Sequence, residues 1–162
     1  MKIYHGSNIA VVDPLAQAGR RNLDFGKGFY TTRIREQAAK WAVLVASRKG
    51  KNSNGVISIY EFDEDLYDKE DYVCKKFPLY DMEWLEFVVA CRKGIDTTNY
   101  DIVEGGVADD QVIDTVEDYE NGRITAEQAL DQLRYKNPNN QICFRNQRII
   151  DVFLRFVNFE SV

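Results

Sequence analysis

The sequence predicts an α+β domain built on a mixed or antiparallel sheet, and two observations carry that reading. Segments that alternate apolar and polar residues, among them KIYH, GVISIYEF and DVFLRFVNFESV, are interleaved with segments whose apolar residues recur at helical spacing. Their order contains no regular strand–helix–strand repeat of the kind that builds an all-parallel sheet. At 162 residues, 44% of them hydrophobic, the chain is sized for one domain, 1–162, around one core.

KIYH, residues 2–5, reads as a short strand that ends at the turn Gly6-Ser7. The stretch 7–23 mixes Pro14, Gly19 and polar residues and reads as irregular. DFGKGFYTT, residues 24–32, reads as a glycine-punctuated turn before a helix. In 33–49, RIREQAAKWAVLVASRK, residues Ile34, Ala38, Trp41, Ala42 and Val45 recur at helical spacing and basic residues crowd the end, so this is a helix with Trp41 on its apolar face.

KNSNG is a turn and GVISIYEF a strand, whereas DLYDKEDYVCKKF holds no single period and stays open. DMEWLEFVVACRK, 81–93, gathers Trp84, Leu85, Val88 and Val89 on one face, with acids first and cations last as a helix dipole favours. YDIVEGG is a strand running into a glycine turn. ADDQVIDTVEDYENG is a helix ending at Asn121-Gly122, and ITAEQALDQLRYKN is another, opened by the capping-box pair Thr125 and Gln128. NPNN is a turn, QICFR a strand, and DVFLRFVNFESV a last strand; NQRII between them is a bridge of open conformation.

A net charge of -5 and a pI near 5.0 argue against general attraction to nucleic acid or anionic membrane. Arg20 and Arg21 are the cations available for a local basic groove near the glycine motif. Three cysteines at wide spacing and one histidine exclude the usual zinc site and give no disulfide framework. No apolar run approaches the roughly 20 residues a membrane span needs, and MKIYHGS lacks a secretory h-region, so the expectation is a soluble, cytoplasmic protein.

His5 taken alone reads first as a packed or surface histidine, but His-Gly puts a hydrogen-bonding ring beside a residue without a Cβ, where a flat ligand can reach backbone groups. In DFGKGFYTT the glycines match neither GxGxxG nor GxxxxGK[ST], which disfavours a phosphate cradle. They allow close backbone approach instead, with Tyr30 projecting a ring and Trp41 eleven positions later able to supply a second.

In that order and spacing, YHGS, FGKGFYTT, Trp41 and NNQICF resemble the three-part signature of the ADP-ribosyltransferase fold, in its histidine-tyrosine-glutamate branch of polymerases and diphtheria-type toxins. With LDFGKGFYTT, EQAAKWA, EWLEFV and YDIVEGGVADD, the whole chain is similar to an uncharacterised bacterial family placed in that superfamily. The resemblance implies a split mixed or antiparallel sheet core with flanking helices, and NAD as substrate with no metal.

It also implies roles, position by position. His5 would hold a ribose hydroxyl, Gly6 would pair its backbone with the nicotinamide amide, and Tyr30 would stack on the ring. Trp41 would cover the opposite face, a cationic ring between two aromatics gaining about 1 to 2 kcal/mol per face. Ser7, Arg21 and Gly28 complete the NAD-binding set, Arg21 reaching toward the pyrophosphate. With His5 and Tyr30, Gln141 completes the catalytic set, but it departs from the family's glutamate. A neutral amide accepts a hydroxyl's hydrogen bond and supplies no negative charge to a developing cation; at about 5 Å and an effective dielectric near 20 that charge is worth roughly 3 kcal/mol, on the order of a hundredfold in rate.

Glu104, Asp109 and Asp110 are candidate substitute carboxylates, with helix N-terminal acids as the plainer reading; Glu83 and Glu86 are expected to face solvent. The resulting expectation is a mono-ADP-ribosyltransferase with an unknown macromolecular acceptor, able to serve as a toxin under a small antitoxin-like partner. The alternatives are a degenerate NAD or ADP-ribose binding module and an NAD glycohydrolase.

Overall fold

The structure, a computed structural model, describes residues 1–50, 53–109 and 112–162. Its strands are divided between two sheets. The first, antiparallel throughout, orders β1 (Lys2–Ser7), β3 (Val56–Phe62) and β7 (Leu154–Ser161) with β3 in the middle. The second orders β2 (Phe29–Thr31), β6 (Gln141–Phe144), β5 (Ile102–Gly105) and β4 (Cys74–Phe77), and its β4–β5 pair is parallel. The sheets are stitched where Tyr4 and Thr32 exchange both backbone hydrogen bonds at 2.9 Å.

Helix α1 (Arg35–Lys49) covers the outer face of the first sheet, packing Ala38 and Ala42 on Ile57 and Ile59. Between the sheets lies an aromatic-rich core of Ile3, Phe29, Tyr60, Phe62, Ile142 and Phe144, closed by α5 (Gln147–Phe153). On the far face of the second sheet, Val103 and Cys143 meet α2 (Met82–Lys93), with α3 (Ile113–Glu120) and α4 (Ala126–Leu133) behind it. Strand pleating produces this division, since successive residues of β6 point to opposite faces: Ile142 and Phe144 inward, Cys143 toward α2. β3 is covered on both faces, so Ile57, Ser58, Ile59 and Tyr60 are all buried; the Ser58 hydroxyl accepts from Val11 N–H at 2.9 Å.

Several expectations shift. The motif 24–32 contains a strand, β2, beyond its turn. NQRII opens α5, capped by the Asn146 side chain accepting from Arg148 N–H at 3.0 Å, and the helix runs through Phe153, so β7 begins three residues later than the alternating tail. The open stretch 65–77 resolves into a 3-10 turn, Glu64–Asp68, and β4. The capping box at Thr125 forms, with both reciprocal hydrogen bonds present.

Trp41 is the largest departure on α1. The helix seats on an alanine stripe, Ala38, Ala42 and Ala46, and Trp41 stands 44% exposed on the flank, with the Arg48 guanidinium 5.8 Å from its ring centre. The reason lies under the helix. A Cβ on Gly6 would stand 2.2 Å from Ala38 O, and one on Gly55 3.0 Å from the Ala42 carbonyl carbon, so helix and sheet approach too closely for an indole between them.

Candidate functional site

His5, on β1, meets β2 across the stitch between the sheets. Its Nδ1 lies 2.6 Å from the Tyr30 carbonyl oxygen, which can only accept, so Nδ1 carries the proton and Nε2 of the neutral ring presents a lone pair. Burial lowers the imidazole pKa from its ordinary value, against the opposing effect of that hydrogen bond. The ring lies 4.7 Å from that of Phe29.

Backbone alternation decides where Gly6 points. Met1 exchanges hydrogen bonds with Phe62 and Tyr4 with Thr32, so odd residues of β1 turn their N–H and C=O toward β3 and even ones toward β2. Gly6 therefore presents its amide and carbonyl on the β2 side, and the register of the Tyr4–Thr32 bridge carries it opposite Tyr30. Its missing Cβ is already required by α1, so the residue type is set by packing whatever the edge binds. Ser7 ends the strand, paired with Val56.

Tyr30 is folded back on its own motif, its hydroxyl donating to Gly26 O and accepting from Phe25 N–H at 3.2 Å. Burial, then the neighbouring Cys143, pushes its ionisation above the ordinary tyrosine range. Gly26 holds φ +75°, which a glycine tolerates, and a Cβ at Gly28 would fall 2.5 Å from Cys143 Sγ and 2.7 Å from Phe144 O. Both glycines thus serve a tight turn passing over β6. Asp24 anchors this motif, accepting from Ala108 N–H at 2.9 Å and from Arg92 at 3.3 Å; burial nonetheless raises its pKa.

Gln141 opens β6, and the β2–β6 register carries it beside Thr32, one strand farther from Tyr4. At ordinary strand spacing its Cα is about 10 Å from that of Tyr4. Its buried Nε2 has no hydrogen-bond partner among the described residues. Asn140, just before it, is held from three sides: its side chain accepts from Arg33 N–H at 2.8 Å and donates to Glu104 at 2.9 Å, and its carbonyl accepts from Gln37 Nε2 at 2.7 Å.

Glu104 points into the layer between the sheets, on the same side as its partner Ile142. Arg33 grips both its oxygens at 2.5 and 3.0 Å, and Tyr67 O–H adds a third donor at 2.8 Å. Burial would raise the Glu104 pKa, but hydrogen bonds from Arg33, Tyr67 and Asn140 outweigh it and hold the carboxyl below its usual range. The carboxylate is committed to the scaffold. Arg33, Asn140, Tyr67 and Asp24 escaped the sequence reading; the polar run NPNN before QICFR was the one available signal.

The remaining candidates lie farther out. Arg20 and Arg21 are exposed on the loop before β2, and Trp41 makes no ring contact with Tyr30 among the described residues. The Asp109 carbonyl accepts from Val112 and Ile113 N–H at the start of α3, and its carboxylate from Asn139 at 2.7 Å; Asp110 lies outside the described residues. Glu83 and Glu86 are exposed, as expected. Two surface hollows, of about 630 Å³ beside Asn8 and Ser161 and about 430 Å³ beside Met1 and Arg155, include none of His5, Tyr30 or Gln141. Among the described residues, no three His, Cys, Asp or Glu side chains are grouped to hold a metal, and no helix is long and apolar enough to cross a membrane.

Fold and seam together define an α+β protein in which His5 of β1 meets Tyr30 of β2 where two sheets join, with Gln141 of β6 one strand farther on. The chain belongs to the family described as "Protein of unknown function (DUF3990)", whose model matches residues 1–156. No curated protein and no solved structure matches it.

Proposed function

We propose that the seam binds NAD and that the protein is a mono-ADP-ribosyltransferase. The observation that supports this best is the contact of His5 with Tyr30, with the Gly6 backbone edge beside it: residues 24 or more positions apart, joined in the resemblance, also join in space. The reaction would break the bond between ribose C1′ and the nicotinamide nitrogen, nicotinamide leaving with the electron pair and an acceptor nucleophile adding with loss of a proton. His5 Nε2 is poised to accept from a ribose hydroxyl, and the Gly6 N–H and C=O match the two ends of a carboxamide. Tyr30, pinned by its hydroxyl, keeps its ring in a fixed plane. Trp41, exposed on the flank of α1, would supply the second face, and Ser7 and Arg21 would serve the diphosphate. The acceptor is a macromolecule, or water in a glycohydrolase, and control by a small antitoxin-like protein belongs to the same reading.

A second reading rests on Gln141. Its amide adds no negative charge, and its Nε2 is a donor in want of an acceptor, as in a module that holds NAD or ADP-ribose without cutting it. Incubation with labelled NAD and cell extract, alongside calorimetry, tests both. Transfer or nicotinamide release is expected from the wild type, lost in His5→Ala, and raised on the order of a hundredfold in Gln141→Glu. Binding without turnover in wild type would favour the module, and no NAD binding at all would end both readings.

A further inference from the structure

β7 is the outer strand of the first sheet, and its free edge carries a pattern that only certain strands can match. Along β3, the odd residues Ile57, Ile59 and Glu61 turn their backbone groups toward β7, because the even ones serve β1. Val162 N–H donating to Gly55 O at 2.8 Å and Asp63 N–H donating to Phe153 O at 2.9 Å keep the same phase at both ends. In β7 the inward partners are therefore Arg155, Asn158 and Glu160; Phe156, Phe159 and Ser161 turn N–H and C=O outward, and Leu154 its C=O, its N–H being donated to Ile150 O at the end of α5.

Between them the pairing slips. Asn158 faces Ile59 and Phe156 faces Tyr60, leaving Val157 as an extra residue. The outward groups are consequently spaced two, three and two residues apart, and a regular strand, whose spacing is two throughout, can follow only half of that edge. Such an irregularity ordinarily protects an edge from indiscriminate pairing.

We infer that the strand this edge fits is its own: a second copy of the chain pairs antiparallel with β7 about a two-fold axis between Val157 and Asn158. In that register Phe156 meets Phe159 with both backbone hydrogen bonds and the Leu154 C=O meets the Ser161 N–H, twice each by symmetry, so the two irregularities coincide. The same register sets Arg155 opposite Glu160, at the non-hydrogen-bonded position where side chains come closest. Both lie on the face that bears α1, Arg155 opposite Glu61 and Glu160 paired with Arg35. Phe156 and Phe159 lie together on the other face. Phe159 is 49% exposed and Val157 42%, apolar surface that the second copy would cover. The present pairings of Arg155 with Glu61 and of Glu160 with Arg35 are both solvent-exposed and worth little, so re-pairing costs little.

Sedimentation velocity of the full chain over a concentration series tests this. The wild type should dimerise reversibly. Arg155→Glu and Glu160→Arg, both surface changes whose folding circular dichroism verifies, should each weaken the dimer on the order of tenfold by opposing like charges at two symmetric points. Mixing the two variants should restore wild-type affinity, because each copy then supplies the sign the other lacks. A monomeric wild type, a dimer unaffected by either substitution, or a mixture no tighter than the separate variants would overturn the inference.

Discussion

Two polar clusters adjoin β2 and β6 and differ in one respect, the number of valences left over. At Glu104 both oxygens are engaged by Arg33, Tyr67 and Asn140, four hydrogen bonds among the described residues, and the carboxylate is held ionised by them. At the seam, His5 uses one nitrogen, the Gly6 backbone faces outward from β1, and Gln141 Nε2 is buried without a partner among the described residues. A saturated buried cluster fixes strands to one another, whereas one with free donors and acceptors is chemically ready for something else. Charge alone does not distinguish them: the ionised carboxylate belongs to the scaffold, and the site is built from neutral groups.

Breaking the saturated cluster should give the largest effect. Arg33→Leu leaves Glu104, whose side chain is 12% exposed, with Tyr67 and Asn140 as its remaining partners among the described residues. A loss of about 2 to 3 kcal/mol in urea unfolding is expected, below the full cost of orphaning a buried charge because Arg33 is itself partly exposed. Adding Glu104→Leu should recover part of it, since the uncompensated charge goes with the residue. Equal losses in the single and double variants would mean that Arg33 acts by packing alone.

The seam should respond to pH where the Glu104 cluster does not. Burial holds the His5 pKa below its ordinary 6.5, so as pH falls below about 6.5 the unfolded chain binds a proton that the folded chain does not, and stability declines until the folded ring protonates too. The slope cannot exceed about 1.4 kcal/mol per pH unit. Glu104, held low, contributes stability present above its ordinary pKa near 4.5 and lost as pH falls below that, so the two windows separate. Urea midpoints measured from pH 7 to 5 should fall in wild type relative to His5→Gln, which keeps every other titrating group, including the Asp24 carboxyl that burial raises and that acts in the opposite direction. A difference between the two proteins that stays constant over this range would show that the ring is not buried.

The same contrast explains what the sequence disclosed. Long periodic segments such as 81–93 and the capping box at Thr125 declare themselves, because local spacing and local caps decide them. β2 is three residues inside a glycine motif, too short for a period, and exists because β6 pairs with it. α5 hides between QICFR and a tail that alternates, and its first turn depends on Asn146 capping Arg148 N–H. That His5 would meet Tyr30 was legible in their order along the chain; that Arg33 and Asn140 would hold Glu104 was not, since those partners arrive from the turn after β2 and from the loop before β6. The sequence marks Gly6 and Gly28 as ligand-facing positions; the structure adds that packing against Ala38 O and Cys143 Sγ already demands them.

Trp41 separates scaffold from site most sharply, because periodicity and structure disagree about it. Were it a core residue, Trp41→Ala would cost several kcal/mol. On the exposed flank of α1, with the helix seated by Ala38, Ala42 and Ala46, the substitution should change stability by no more than about 1 kcal/mol. Loss of one stacking face should still lower NAD affinity on the order of tenfold if the seam binds as proposed. Val43→Ala, on the opposite flank of the same helix and also exposed, provides the comparison and should alter neither quantity appreciably. A stability loss in Trp41→Ala comparable to a core truncation would return the indole to the interior. Unchanged affinity beside unchanged stability would leave Tyr30 as the single aromatic face of the seam, and an exposed tryptophan that NAD does not use.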